Sequence, residues 1–257
     1  MSIQIIVIGL KTIVKREIIR IIRIWPQTII PSIITTSLYF IIFGDILLQN
    51  RFIIMNNQSI PYNIFLVPGL ISMSIILNAY NNTSSSFFSI KFQKNIEELL
   101  VSPLPIWVII LGYTIGGIVR SLINGFLVLI ISFYFINFSV HSYLFLLFIS
   151  LLTSLLFSTL GIINAIFSQT FDDLVWVPSF ILTPMVYFGG IFFTIEMLPP
   201  FWQTIVKLNP IYYILNIFRF SVIGSERFNF LSVIGIFILN IILFILAVFC
   251  FNKKLQK

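Results

Sequence analysis

Long apolar stretches separated by short polar ones dominate the hydrophobic pattern of the chain. A helix needs about 20 predominantly apolar residues to cross the hydrocarbon core of a bilayer. Stretches of at least about that length occur at 26–47, 63–86, 106–136, 142–168, 174–194 and 230–251. The pattern therefore predicts an all-α polytopic membrane protein with six transmembrane helices. Since no repeat and no soluble segment stands out, we expect residues 1–257 to form a single transmembrane domain.

The polar segment at 91–105 lies between the second and third apolar stretches and predicts a short amphipathic helix at the membrane surface. Apolar side chains recur at helical spacing, at Phe92, Ile96, Leu99 and Leu100. The other side is polar, with Lys94, Asn95, Glu97 and Glu98. Pro103 and Pro105 then end the helix, because proline lacks an N–H and restricts the residue before it. A stiff element with a polar face would let a membrane protein respond to something in the cytosol.

A second amphipathic helix is predicted at the N-terminal side of the first span, over residues 11–23. One face would carry Val14, Ile18, Ile21 and Trp25. The opposite face would carry Arg16, Glu17, Arg20 and Arg23. Such a helix lies in the plane of the interface, with its arginines toward anionic headgroups. We expect the first span to be retained, because no small-residue cleavage site typical of a signal peptide follows.

Basic residues are distributed unequally between the two sides of the predicted spans, which sets their orientation. With both termini in the cytoplasm, ten basic residues lie inside and four outside. The inner ten are Lys11, Lys15, Arg16, Arg20, Arg23, Lys91, Lys94, Lys253, Lys254 and Lys257, and the outer four are Arg51, Lys207, Arg219 and Arg227. We therefore predict that both termini are cytoplasmic.

Residues 195–229, before the last span, contain two short apolar segments separated by Asn209-Pro210. A seventh span here would place the lysine-rich C-terminus outside, against the charge asymmetry. We therefore predict two short re-entrant helices that dip into the outer leaflet and return. Irregular backbone at that depth must be covered by protein or water. An ordinary packed outer loop remains the alternative.

The composition fits this membrane assignment and narrows the chemistry. Hydrophobic residues make up 59% of the chain and charged residues 9%, more apolar surface than a soluble protein of 257 residues could bury. The net charge of +7 lies at the ends of spans and not on a soluble face, so we expect no nucleic-acid partner. The single cysteine, Cys250, allows no intramolecular disulfide and no thiolate metal cluster.

No motif in the sequence indicates catalysis, so we predict no catalytic residue and no metal site. The chain contains one histidine, and it lacks an H-E-x-x-H motif, a G-x-S-x-G motif and any Gly-Lys dipeptide of a P-loop. Asp172 and Asp173 are adjacent, and neighbouring helical side chains point about 100° apart, a poor geometry for sharing a metal. We interpret them as the start of a helix capped by Thr170 or Asp172.

Arg120 lies within the third predicted span, where a charge costs roughly 2.5–3.5 kcal/mol on insertion scales. It either bonds to a carbonyl or carboxylate on a neighbouring span or lines a transport route. Asn124 and Asn164 present the same two alternatives. The span also has small residues at four-residue steps, which predict close helix packing within the chain, at Gly112, Gly116, Gly117, Ser121 and Gly125.

Several of these segments together resemble the permeases of ABC-2 type transporters. Residues 92–105 look like the cytoplasmic coupling segment of that family, and residues 170–173 are similar to the junction before its fifth span. The runs 182–190, 198–202 and 208–210, with Phe218-Arg219, are similar to its C-terminal signature. The resemblance covers essentially the whole chain and is closest to bacterial inner-membrane members that lack a fused ATPase.

This resemblance implies a function as the permease subunit of an ATP-driven exporter of glycans, lipid-linked molecules or drugs. Two permeases would pair as a homodimer in the lipid membrane, with two separate ATP-binding subunits docked beneath. The chain itself would hold no cofactor, since ATP and Mg²⁺ would bind to the partner subunit. The residues expected to couple to the ATPase are Phe92, Lys94, Asn95, Ile96, Glu97, Glu98 and Leu99.

Two alternatives from other functional classes stay open. The chain could be a membrane-embedded lipid-modifying enzyme with Asp172, Asp173 and Arg120 as its polar site. This enzyme would act without ATP and without a partner. The chain could also be a passive channel or scaffold whose activity is independent of nucleotide.

Overall fold

The computed structural model describes residues 3–47, 52–55, 58–224 and 229–255, and these are almost entirely helical. The helices in chain order are α1 (Ile3–Arg23), α2 (Trp25–Tyr39), α3 (Tyr62–Phe92), α4 (Ile96–Val101), α5 (Ile106–Phe135), α6 (Tyr143–Phe167), α7 (Phe171–Val177), α8 (Thr183–Phe188), α9 (Pro200–Leu208), α10 (Pro210–Ile223) and α11 (Phe230–Leu255). A π-helical segment, Phe40–Leu47, extends α2, and another, Pro178–Leu182, joins α7 to α8. The predicted all-α polytopic fold is confirmed.

Five helical segments of the described chain are long and apolar enough to cross a membrane. They are Trp25–Gly44, Tyr62–Phe92, Ile106–Phe135, Tyr143–Phe167 and Phe230–Lys254. These segments match five of the six apolar stretches. Arg51, Arg227 and Lys257, which contribute to the charge-based orientation, lie outside the described residues.

The fifth predicted span, 174–194, has a different shape from the others. Residues 171–188 form one helical run interrupted by the π-helical segment at Pro178, whose ring nitrogen cannot donate a backbone hydrogen bond. At 18 residues the run is about 27 Å long, slightly less than the hydrocarbon core. The predicted end at residue 194 is wrong, because the chain turns at Gly190, whose φ of +95° favours glycine.

Helix α3 is the centre of the bundle and packs between α5 and α6. Small residues permit close approach: a Cβ on Gly117 would collide with Thr83 of α3 and Ser158 of α6. Ser121 Oγ donates to Ser154 Oγ at 2.8 Å, and Thr83 Oγ1 donates to the carbonyl oxygen of Ser158 at 2.8 Å. The predicted role of the small residues of α5 in packing within the chain is confirmed.

The segment before the last span forms two short helices, as predicted, in place of an irregular loop. Asn209 separates them: its Oδ1 accepts from the backbone N–H of Ile211 at 3.0 Å and caps α10. Its Nδ2 donates to the carbonyl oxygen of Met185 at 2.6 Å. The buried Arg219 donates to the carbonyl oxygen of Gly190 and lies 4.2 Å from the ring centroid of Phe65. The depth of these helices in a bilayer stays a prediction.

A short antiparallel hairpin precedes α3 and was not anticipated from the sequence. Strand β1 (Phe52–Met55) pairs with β2 (Gln58–Pro61), with Ile53 opposite Ile60. Both of these isoleucines are buried against the bundle. Because each strand has only four residues, the alternation of apolar and polar positions is too short to distinguish it from a loop.

Candidate functional site: the surface around α4 and the polar cluster behind it

The predicted coupling segment contains a break that separates Phe92 from the helix that follows. Helix α3 continues to Phe92, the chain turns over residues 93–95, and α4 begins at Ile96. Lys94 has a φ of 61°, in the left-handed region that a regular helix does not use. The prediction of one continuous amphipathic helix from residue 92 is therefore wrong. Phe92 and Ile96 have i, i+4 spacing in the sequence, but they lie in two different helices.

Helix α4 separates its apolar and acidic residues as the sequence predicts. Ile96 is 7% exposed and packs in a cluster that includes Phe88 of α3 and Ile109 of α5. Leu99 and Leu100 are half-buried against the same cluster. The side chains of Glu97 and Glu98 are exposed. The acidic pair faces outward from a helix whose apolar side is fixed to the bundle.

The remaining predicted coupling residues lie on the turn and at the end of α3. Lys94 is exposed, and Asn95 Nδ2 donates to Gln93 Oε1 at 3.2 Å. Phe92 is 59% exposed, and its ring centroid lies 5.0 Å from that of Phe171 at the start of α7. Phe92 therefore belongs to α3 and contacts the 171–188 run.

Lys91 and Lys254 hold the carboxyl-terminal end of α6 at this surface. Lys91 Nζ donates to the carbonyl oxygens of Ile166 at 2.8 Å and Ser168 at 2.5 Å. Lys254 Nζ of α11 donates to the carbonyl oxygen of Phe167 at 3.3 Å. Cations suit this position, since the last carbonyls of a helix carry partial negative charge and lack helical partners.

The predicted cap before α7 is confirmed, with Thr170 in the capping position. Thr170 Oγ1 accepts from the backbone N–H of Asp173 at 3.2 Å, and Asp173 Oδ2 accepts from the N–H groups of Gln169 and Thr170 at 3.0 Å. These backbone donors hold the pKa of the exposed Asp173 below its usual range. The Asp173 carboxylate is thus committed to a helix cap, whereas the lipid-enzyme alternative would need it for catalysis.

A largely buried polar cluster, which we name the Asn82 cluster, lies between α1, α3 and α5. It consists of Glu17, Arg20, Asn82, Ser86 and Arg120. Arg20 Nη2 donates to Glu17 Oε2 at 3.2 Å and to Asn82 Oδ1 at 2.6 Å, and Arg120 Nη1 donates to the same Asn82 oxygen at 3.3 Å. Ser86 Oγ donates to Glu17 Oε1 at 2.5 Å. The cluster joins α1 to the two spans α3 and α5.

The position of Glu17 corrects the predicted faces of α1. Glu17 is 1% exposed and shares its buried face with Ile13 and Ile21. The sequence pattern, in contrast, predicts Glu17 on the polar face. Gly116 of α5 makes room for it, because a Cβ there would lie 2.8 Å from the Cβ of Glu17. The buried face of α1 is set by contact with α5, which the pattern of α1 alone does not reveal.

Arg120 bonds to a neighbouring span, where its partner is the side-chain carbonyl oxygen of Asn82, and this supports the structural alternative for the residue. Asn124 Nδ2 donates to the carbonyl oxygen of Arg120 within its own helix at 2.9 Å. Asn164 Nδ2 donates to the carbonyl oxygen of Leu174 at 3.0 Å and ties α6 to α7. A path-lining role for these three residues stays a prediction.

A large apolar cavity, which we name the lateral groove, lies on the other side of α6. It has a volume of about 660 Å³ and is bounded by α6, the 171–188 run, α10 and α11. Representative lining residues are Leu160, Phe167, Ile181, Met185, Ile211 and Gly235. A Cβ added at Gly235 would meet nothing within 4 Å, so α11 leaves space there. Sequence analysis missed the groove because the lining residues are as apolar as those of a packed core.

Comparisons with known proteins agree with the resemblance of the signature segments. The model of the ABC-2 type transporter family matches residues 9–223. The inner membrane transport permease YadH of Escherichia coli K12 is 48% identical over 239 residues, covering 93% of this chain and 92% of the relative. Nodulation protein J of Sinorhizobium fredii is 25% identical over 202 residues, covering 76% of this chain and 75% of the relative.

Proposed function

Because this chain belongs to the ABC-2 type transporter family and is therefore a transmembrane transporter subunit, we propose that it is the permease of an ATP-driven exporter in the bacterial inner membrane. ATP and Mg²⁺ would bind to a separate polypeptide, and the chain itself would need no cofactor. Two copies would form the transmembrane unit, with both termini in the cytoplasm. The cargo class is a glycan, a lipid-linked molecule or a drug.

The observation that carries this proposal is the division of α4 into a fixed and an exposed side. Burial of Ile96 contributes about 1.5–3 kcal/mol to holding α4 against the bundle. Glu97 and Glu98 face outward and form no ion pair within the described part of the chain. An exposed acidic pair on a firmly held helix suits docking to a basic cleft, where charge complementarity sets register more than affinity.

The mechanism follows from what α4 contacts. Closure of the ATP-binding subunits would displace α4, and the cluster around Ile96 would pass the displacement to α3, α5 and α6 because packed cores resist deformation. The Asn82 cluster would carry α1 along with these helices. The spans would then move as rigid bodies about the interface between the two permeases and open an outward path.

The test is charge reversal on α4 in membranes that contain the permease and its ATP-binding subunit. Glu97→Lys combined with Glu98→Lys should abolish co-purification of the two subunits and export, while the yield of folded permease stays unchanged. Glu196→Lys is the matched control, since this exposed glutamate lies on the side assigned to the outside. Normal docking and export in the double variant would contradict the coupling role.

The lipid-enzyme alternative receives no support from the geometry. Arg120 is bonded to Asn82, and Asp173 is bonded to the backbone at the start of α7. The purified chain alone should therefore show no lipid turnover with divalent metal in the absence of ATP. Turnover under those conditions would favour the enzyme over the permease.

A further inference from the structure

The lateral groove is too large and too apolar to be filled by water or to remain empty beside a bilayer. Apolar cavities of about 150 Å³ stay dry and take up benzene, and this groove has more than four times that volume. Its lining atoms would lose their dispersion contacts if nothing occupied it. An apolar occupant from the surrounding lipid would restore those contacts.

The shape of the groove fits a chain more than a compact molecule. Its lining on α6 extends from Leu156 to Phe167, which corresponds to about 16 Å along the helix axis. The groove is lined on the opposite side by Val177, Ile181 and Met185 of the 171–188 run. A slot of this length between helices suits one acyl chain.

A cation lies at one end of the groove. Lys254 Nζ is 4.5 Å from the ring centroid of Phe167, and Phe167 lines the groove. The Lys254 side chain is exposed, and its ammonium group has three donors, of which the carbonyl oxygen of Phe167 accepts one. The same end of α11 carries the exposed Lys253. An anionic headgroup beside Phe167 would therefore meet a lysine while its acyl chain entered the groove.

We propose that the lateral groove binds one acyl chain of an anionic phospholipid and that Lys254 contacts the phosphate of this lipid. The bound lipid would fill the space between α6, α11 and the 171–188 run. The proposal goes beyond the exporter function, because it applies whether or not this lipid is cargo. It can fail while the docking of α4 to an ATP-binding subunit succeeds, and the reverse is equally possible.

The experiment uses the full chain in nanodiscs with a phosphatidylglycerol that carries a photoactivatable group on one acyl chain. Phosphatidylcholine with the same acyl chain is the comparison lipid. Cross-linked residues are located by mass spectrometry after irradiation. We expect labelling of groove residues on α6 and α11, and preference for phosphatidylglycerol by about fivefold, the effect of one lysine near an anionic headgroup.

Two variants with matched controls test the two parts of the proposal. Gly235→Leu should fill the groove and reduce labelling of α6 at least fivefold, whereas Ile238→Leu, on the exposed side of the same helix, should leave it unchanged. Lys254→Gln should remove the preference for phosphatidylglycerol, whereas Lys207→Gln, at the end of α9, should preserve it. The second variant tests the headgroup while every residue that lines the groove keeps its side chain.

Three outcomes would overturn the proposal. The first is an unlabelled groove in the unmodified chain, including the case in which a second permease copy cross-links there instead. The second is equal labelling of α6 in the Gly235→Leu variant. The third is equal labelling by the two lipids in the unmodified chain, which would remove the role of Lys254.

Discussion

The two sides of α6 are packed differently: the side toward α3 and α5 carries small residues, whereas the side toward the lateral groove carries large ones such as Leu160 and Phe167. On the side of α3 and α5, a Cβ on Gly161 would lie 2.5 Å from the carbonyl oxygen of Tyr80, so backbones touch. On the side of α11, Gly235 has no atom within 4 Å, and the lateral groove remains. The close-packed side can transmit a displacement from α4, whereas the open side can change shape or accept a lipid. The mean hydropathy of α6 as a whole does not show this difference.

Loss of Glu17 from the close-packed side should have the largest effect. Glu17→Leu would leave Arg20 and Ser86 without their carboxylate and lower the free energy of unfolding by about 3 kcal/mol, the lower end for a broken buried ion pair because Arg20 is partly exposed. Thermal unfolding of the purified full chain measures the effect. The control is Glu97→Leu, an exposed position that should change stability by less than about 0.5 kcal/mol. Equal melting temperatures for the two variants would contradict the packing of α1.

A comparison of two glycines sharpens the contrast. Gly161→Ala should destabilise the chain by about 1–3 kcal/mol, because the new Cβ would meet the backbone of α3. Gly235→Ala should be neutral or stabilise by up to about 1 kcal/mol, because alanine favours the helix and nothing obstructs its Cβ. Melting curves of both variants measure the two changes in stability. Equal destabilisation by both substitutions would contradict the open space beside Gly235.

Removal of the cap at the start of α7 should have a smaller, local effect. Thr170→Ala would remove the acceptor for the backbone N–H of Asp173 and cost about 1 kcal/mol. Hydrogen exchange should speed up in residues 171–177 and remain unchanged in α3. Thr170→Ser, which keeps the hydroxyl group, is the control. Unchanged exchange in the alanine variant would mean that α7 is held by its packing alone.

The smallest expected effect is the pH dependence of the same cap. The backbone N–H groups lower the folded-state pKa of Asp173 below its value in the unfolded chain. Its contribution to stability is therefore present above the ordinary aspartate pKa and is lost as the pH falls through the lower folded value. Protection of residues 171–177 should decline in that acidic range and become independent of pH there in Asp173→Asn. A decline that persists in this variant would assign the titration to another group.

The sequence predicts features that depend on short-range chemistry. Apolar length predicts five of the spans, proline and asparagine predict the boundary between α9 and α10, and Thr170 predicts the cap. Each of these follows from a residue and its near neighbours along the chain. The acidic face of α4 is also predicted from near neighbours, because the six residues of that helix already place its acidic and apolar side chains on different faces.

Features that depend on distant partners were missed or misplaced. The sequence of α1 predicts Glu17 on the polar face, because that sequence contains no information about Gly116 of α5. Asn82, which two arginines share, lies in a stretch of α3 with no distinctive motif. The left-handed turn at Lys94 also lacks a local signal, since glycine or asparagine is the usual residue there. Tertiary contacts decide these positions, and a single sequence does not show them.

Cross-linking from α4 tests the central claim most directly. In a Cys250→Ser background, Glu98→Cys is labelled with a thiol-reactive reagent that carries a photoactivatable group, and the label is then irradiated in membranes that contain the permease and its ATP-binding subunit. A product with the combined mass of one permease and one ATP-binding subunit is predicted, and Glu196→Cys should give none. Labelling of Glu98→Cys by a membrane-impermeant reagent from outside intact cells, or full export with no cross-link to the ATP-binding subunit, would contradict the account.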